Sequence, residues 1–269
     1  MANYPLLRKA DNLPSVGVLQ LLLNRTGASL SVDGSFGDKT ELALKRFQSA
    51  RSLSVSGVVD ADTWIRLSFA VRLPLVDCID VFDPRILQQR AQKLQSVGAA
   101  PILTGGMQLG VNSVISRLRG YGGGIFLLRM VGHGAPGKQA VSYGAGGWDE
   151  WDTATQKMKW HPFQSPASDF SGVGLSRSSL NAFVPIRDQL GPYGNLELHG
   201  CQVGQGHEGH RFVSELALKL GAPVSAGIGR QPMQSAFRIV GPVFSAFPTG
   251  HNLRSWCKSL PEFTPVTVP

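Results

Sequence analysis

The chain has 269 residues, of which 42% are hydrophobic and 16% charged, and a formal net charge of +8. Such a composition describes a core-forming globular protein of one large domain, or of a small and a medium one, and excludes a disordered or membrane-embedded chain. No apolar run approaches the ~20 residues that span a bilayer. Residues 1–9 lack an apolar signal core behind a basic head, so no secretory signal is expected. The positive balance suits an anionic partner, either nucleic acid or an acidic polymer such as a cell wall. The basic residues are dispersed, with no Lys/Arg run and no nucleic-acid motif, which favours the polymer. The three cysteines, Cys78, Cys201 and Cys257, form neither a disulfide framework nor a metal-knuckle spacing. An odd count leaves at least one thiol free, and a Cys78–Cys257 bridge stays open. Cys78 and Cys257 read as buried small hydrophobes.

In chain order, Val16, Leu19, Leu22 and Leu23 recur at helical spacing within 13–25, with Pro14 near the start and Gly27 past the end. The turn Val32-Asp33-Gly34-Ser35-Phe36-Gly37 follows. Asp38 then reads as the cap of a second helix, with Glu41 completing a capping-box-like pattern and Thr40, Ala43, Leu44 and Phe47 on its inner face. After Gly57-Val58-Val59, Asp60 is positioned to cap a third, short helix carrying Thr63, Trp64 and Leu67. Leu19-Gln20, the Val-Asp-Gly-Ser-Phe-Gly turn, Thr40, Phe47-Gln48, Leu53, Gly57 to Asp60 and Thr63-Trp64 together resemble the bacterial peptidoglycan-binding domain. That is a three-helix module found on many cell-wall hydrolases, and the resemblance covers roughly 12–70. It implies a wall-polymer partner, while Phe36, Phe47 and Trp64 read as core or turn anchors.

A join is expected near 72–80, between Pro74 and Pro84, which divides the chain into residues 1–75 and 76–269. Beyond it, helices and apolar strands alternate: a helix over 86–94, a strand over 100–104, a helix over 111–118 and a strand over 125–132 that stops at His133. Further on come a strand over 195–200 that delivers Gly200-Cys201, a helix over 212–220 and a strand over 222–226. This alternation predicts an α/β domain with a mostly parallel sheet covered on both faces. Residues 236–247 read as a strand pair near an edge, since Pro242 cannot donate to a central ladder. The proline-rich tail after 258 reads as loose. The long insertion 135–180 holds Trp148, Trp151 and Trp160, which would either floor a substrate groove or pack the loop down.

Two strands that end in His-Gly and Gly-Cys would bring an imidazole beside a thiol at the carboxyl edge of the sheet, where ligands and catalytic groups collect. His133 would promote thiolate formation and protonate a leaving amine, and Cys201 would attack a carbonyl to form a thioester. The helix beginning near Glu208 would help hold the thiolate. Backbone amides of Gly134 and Cys201 are candidate oxyanion donors. His199, Gln202, Trp148 and Trp151 are candidate pocket residues. No metal or other cofactor is required.

Gly132-His133-Gly134, Leu198-His199-Gly200-Cys201, Gly209, Phe212, Leu216-Ala217 and Gly221 to Ala226 resemble the caspase–gingipain clan of cysteine peptidases over about 85–247. They are more similar still to a bacterial branch found at the ends of large surface proteins. The resemblance implies a caspase-like sandwich, His133 as general acid/base and Cys201 as nucleophile. Gln202 departs from the acidic residue that commonly follows the cysteine in caspase relatives. The expected function is therefore a wall-targeted cysteine peptidase acting on a stem or crosslink peptide, or on a wall-associated protein. Its location would be the wall or periplasm, reached by a specialised route, a phage or lysis. Two alternatives are a zinc-dependent wall amidase or endopeptidase drawing on His199, Cys201, His207 and His210, and a non-catalytic wall-binding adaptor.

Overall fold

The computed structural model describes residues 3–80, 87–104, 111–141, 148–161, 174–175, 177, 180–232 and 238–266. The first part is a three-helix module of α1 (Pro14–Arg25), α2 (Asp38–Ala50) and α3 (Ala61–Leu67). α1 opens with Pro14, whose missing N–H costs nothing in a first turn. Asp60 caps α3 as expected, accepting from Thr63 N at 2.9 Å. Asp38 does not cap α2. Gly37 holds that position without a side-chain bond, and Asp38 and Glu41 pair with Lys9 instead. An acidic first turn satisfied by a lysine across a loop has no need to fold back on its own backbone.

One device holds both loops of the module. Gln20 Nε2 donates to Asp33 Oδ1, Ser35 O and Thr40 Oγ1, while its Oε1 accepts from Asp33 N and Gly34 N. Gln48 repeats this in the second loop: Nε2 donates to Val58 O and Thr63 Oγ1, and Oε1 accepts from Gly57 N. Each buried carboxamide thus supplies the hydrogen bonds that a turn cannot make within itself.

The remainder runs β1 (Leu75–Asp80), α4 (Leu87–Ser96), β2 (Ile102–Thr104), α5 (Val111–Arg119), β3 (Ile125–Val131), β4 (Gly134–Ala135), β5 (Lys138–Ala140), β6 (Trp148–Asp152), β7 (Lys157–His161) and β8 (Gly174–Leu175). It continues through α6 (Leu180–Phe183), a 3₁₀ turn (Val184–Gln189), β9 (Leu190–Leu198), α7 (Gly206–Leu220), β10 (Val224–Gly227), β11 (Val243–Ala246) and α8 (Leu253–Ser259). Six strands form one sheet in the order β11-β10-β9-β3-β1-β2, parallel except for the β10–β11 pair. β1 lies in the stretch read from sequence as the join. The expected strand pair over 236–247 is, among the described residues, the single edge strand β11, with Pro242 just outside it.

Alternate residues face opposite ways along each strand. Val76, Cys78, Leu128, Met130, Leu196, Leu198, Val224 and Ala226 share one apolar core with α5, α6 and α7. On the other face, Ile79 and Val131 meet Ala91 and Leu94 of α4. At the start of β3 the alternation breaks, where the pairing with β9 shifts register between Ile125 and Leu127, and Phe126 and Leu127 both join Trp64, Leu19 and Leu22 of the helical module in a single cluster. Trp64 stacks on Tyr4 (5.4 Å between ring centroids) and meets Phe126 (5.9 Å).

α8 belongs to this second core. An added Cβ on Gly17 of α1 would lie 2.4 Å from Cys257 Sγ, so the missing side chain is what lets α8 sit there. The tail beyond it is packed, contrary to expectation. Leu260 is buried, Phe263 stacks on Tyr193 at 4.6 Å, and Thr264 O accepts from Arg25 Nε at 2.9 Å. No helix among the described residues is long and apolar enough to cross a membrane.

Candidate functional site

β3 and β9 are parallel neighbours whose last paired residues are Met130 and Leu198, and His199 N donates to Met130 O at 2.8 Å. His133 and Cys201 each stand three positions past that pair, at the carboxyl edge of the two central strands. Glycines let the two ends touch. A Cβ on Gly134 would lie 2.7 Å from Cys201 N and 2.7 Å from Gly200 Cα, and one on Gly200 would lie 2.8 Å from Gly134 Cα. The β4–β5 hairpin then folds over the cysteine loop. Gln139, fully buried, accepts from Gly200 N at 2.8 Å, and Gly137 N donates to Val203 O.

Cys201 is half-buried, and His133 is exposed. The Cys201 sulfur accepts from Gln231 N at 3.3 Å. Gln202 stands at φ +60°, a left-handed conformation in a residue with a side chain, and its N–H donates to Gly229 O at 2.9 Å. α7 starts a few residues on, at Gly206, with Glu208 in its first turn. Cys78 and Cys257 are free and buried in different cores, which excludes the bridge between them in this fold. Burial pushes the Cys78 thiol well up and the Cys257 thiol up to about 12, so neither is a nucleophile near neutral pH.

His199 is buried below the carboxyl edge. The residue is 4% exposed, with Nε2 2.9 Å from Glu197 Oε2 and Nδ1 3.2 Å from Arg90 Nη2. A guanidinium can only donate, so Nδ1 accepts and Nε2 carries the proton toward Glu197. Burial, only partly offset by Glu197, pushes His199 below the usual imidazole range and brings Arg90 down to about 10. Glu197 lies in register with Arg129 and Asp77, and Arg129 makes two bonds to Asp77, at 2.5 and 2.8 Å. A buried row of charges therefore crosses the sheet just below its carboxyl edge.

The side chains of Trp148 and Trp151 lie outside the described residues, although β6 pairs these positions with His161 and Met158 of β7. The histidines of the zinc alternative have separate partners. His210 stacks on Phe244 at 3.9 Å and His207 lies beside Glu208 at the surface. Among the described residues, no three His, Cys, Asp or Glu side chains are grouped to hold a metal.

The helical module carries a second candidate site, a groove of about 520 Å³ between the loop after α1 and the outer face of α2. Leu42, Phe47 and Leu30 give it an apolar floor, and Lys39, Arg46 and Arg51 a basic rim. Residues 12–67 match the peptidoglycan binding domain. Among solved structures, a peptidoglycan-binding protein from Clostridioides difficile in complex with glutamine hydroxamate is 31% identical. That match covers 25% of this chain and 42% of the other, with a TM-score of 0.24. The Burkholderia AP3 phage endolysin is 33% identical over 34% of each chain, with a TM-score of 0.25. The chain thus spans less than half the length of either. No curated protein matches.

The helical module also meets the other part of the chain through hydrogen bonds: Asp11 Oδ1 accepts from Arg238 Nη2 at 2.9 Å, between β10 and β11, and Asn3 O accepts from Arg129 Nη2 at 2.8 Å. Burial pushes the Asp11 carboxyl up despite that guanidinium. Sequence reasoning missed Gln139 and Gln231, the two glutamines that grip the cysteine loop. Gln139 lies in the three-residue strand β5, too short to show a period, and Gln231 in an irregular segment, so no periodicity marks either. The only local hint is their nearness to Gly137 and Gly229.

Proposed function

We propose that the chain is a wall-directed cysteine peptidase in which His133 and Cys201 form the reacting pair. The reading rests on one observation: the two residues occupy equivalent positions past paired parallel strands, with Gly134 in backbone contact with Gly200 and Cys201. In the reaction, His133 removes the thiol proton and the Cys201 sulfur attacks the peptide carbonyl. The oxyanion would be met by main-chain N–H groups of the Gly134 and Cys201 segments, and that of Cys201 has no acceptor among the described residues. Collapse expels the amine, protonated by the imidazolium, and leaves a thioester. Water, activated by the now neutral imidazole, hydrolyses it to a carboxylate and restores the thiol.

The groove on the peptidoglycan-binding module suits a wall glycan strand, with sugar faces on Leu42 and Phe47 and carboxylates against Lys39, Arg46 and Arg51. The packing of that module on the sheet would hold the bound wall in a set orientation to the Cys201 edge, favouring a stem or crosslink peptide, or a wall-associated protein, as substrate. Access to the wall by a specialised secretion route, a phage or lysis is part of the same reading.

Purified sacculi incubated with wild type and with Cys201→Ala provide the test. New muropeptide ends from wild type alone support the proposal. Identical profiles remove the wall-peptide version, and activity abolished by a chelator and retained in Cys201→Ala would point to the zinc alternative. Gly134→Ala, which brings a methyl to within 2.7 Å of Cys201 N, is expected to abolish hydrolysis too. Sacculus binding without cleavage or thiol reactivity would leave the adaptor.

A further inference from the structure

After β10 the chain turns back over the cysteine loop, making contacts that the reaction scheme does not use. Gln231 is 6% exposed, and its main-chain N–H donates to Cys201 Sγ at 3.3 Å. The same sulfur lies 3.9 Å from Gln231 O, the acceptor a neutral thiol can use. The side chain of Gln231 is occupied in holding the segment on which that N–H sits. Nε2 donates to Gly229 O at 3.2 Å and to Val240 O at 3.1 Å, and Oε1 accepts from Val240 N at 2.8 Å. Gly229 O also accepts from Gln202 N, the residue after the cysteine. One carboxamide therefore joins the outgoing and returning limbs of the loop, and the backbone of the same residue meets the sulfur.

Gly227 makes this possible. An added Cβ there would lie 2.2 Å from Gln231 Nε2 and 2.8 Å from Cδ. No positive φ is involved at Gly227, so the absent side chain matters here for space and not for backbone freedom.

We propose that Gln231 is a positioning residue for the Cys201 thiolate: its buried carboxamide ties its own backbone to Gly229 and Val240 so that its own N–H donates to the sulfur. The proposal rests on the reading of Cys201 as nucleophile. An N–H held in place favours a sulfur anion over a neutral thiol, since a charged acceptor makes the stronger hydrogen bond. A donor already oriented by Gly229 and Val240 need not reorganise when the charge appears. Releasing the clamp should disfavour the thiolate without removing the sulfur.

The test follows iodoacetamide alkylation of the full-length protein against pH, with thermal unfolding in parallel. The burial of Cys78 and Cys257 makes the signal report Cys201, and Cys201→Ala supplies the blank. Gln231→Ala removes the clamp. Gly227→Ala displaces it sterically, and Gln231→Glu retains the acceptor for Val240 N while losing both donations. The expected result is an alkylation rate near neutral pH that falls about tenfold in Gln231→Ala and Gly227→Ala. Their pH profiles should move about one unit alkaline to match, with the rate at high pH unchanged. Gln231→Glu, whose carboxylate would face the Gly229 and Val240 carbonyls and add a negative charge near the sulfur, should fall at least as far as Gln231→Ala. Folded variants whose pH profiles superimpose on wild type overturn the proposal. If Gln231→Ala does not fold, the other two decide it by the same criterion. A wild-type Cys201 no more reactive than a free thiol overturns the nucleophile reading itself, whereas a reactive wild type with unmoved variants overturns only the role of Gln231.

Discussion

The helical module and the sheet both bury polar side chains, and they do so by opposite means. In the module, Gln20 and Gln48 are neutral and each serves a loop close to it in sequence. In the sheet, Asp77, Arg129, Glu197, His199 and Arg90 are ionisable, come from four separate elements, and find one another only through strand register and the docking of α4. Removing a neutral hub leaves unsatisfied polar groups but no charge. A buried ion, once its partner is deleted, keeps an uncompensated charge in a medium that solvates it poorly.

The comparison breaks most visibly at Arg129. Arg129→Ala leaves the Asp77 carboxylate buried and is expected to cost ~3–5 kcal/mol in urea unfolding. The apolar pair Arg129→Met with Asp77→Leu should recover most of that loss, because it leaves no orphan ion. A double variant no better than the single would mean that the pair is more than compensated burial.

Next in size is Gln48→Ala, expected to destabilise by ~1–3 kcal/mol from the unsatisfied groups around Gly57, Val58 and Thr63. Equal losses at Gln48 and Arg129 in the same titration would erase the distinction between the two regions.

A smaller effect depends on pH. The folded state holds His199 below its unfolded value of 6.5, so the unfolded chain binds the extra proton first. The corresponding stability is present above pH 6.5 and is lost as pH falls from there toward the folded value, with a slope of at most ~1.4 kcal/mol per pH unit. Unfolding free energy measured between pH 7 and pH 5 should fall less steeply in His199→Gln than in wild type. Parallel curves would show that the proton is taken up elsewhere. Least of all, Lys9→Ala removes an exposed contact to Asp38 and Glu41 and should leave the unfolding midpoint unchanged.

The module was legible in sequence because its signals are local. Leucines at helical spacing, Asp60 at a cap, and the glycines of its turns all act within a few residues of their own position. Asp38 was misread by the same logic, since its partner Lys9 comes from outside the helix. β1 went unseen because Leu75 to Asp80 lies between Pro74 and Pro84, which marked the stretch as a join, and because Asp77 and Asp80 interrupt its apolar run. Those charges are tolerated in a central strand only through partners on other elements, Arg129 for Asp77. The tail was misread because its packing partners, Arg25 and Tyr193, lie far away along the chain. His133 and Cys201 stood out by their place after apolar runs, whereas Gln139 and Gln231 did not.

Taken alone, the sequence determined what short-range physics can settle: the three helices and their turns, the alternation of strands and helices, and the place of His133 and Cys201 just past strand ends. Tertiary structure alone decided which strands are neighbours, and therefore that Gly134 meets Gly200, that five ionisable groups share one buried network, and that Gln231 faces the Cys201 sulfur. Those outcomes depend on register and on close approach between segments distant in sequence. A contact of that kind leaves no periodic trace, because its energy is realised only once both segments are already in place.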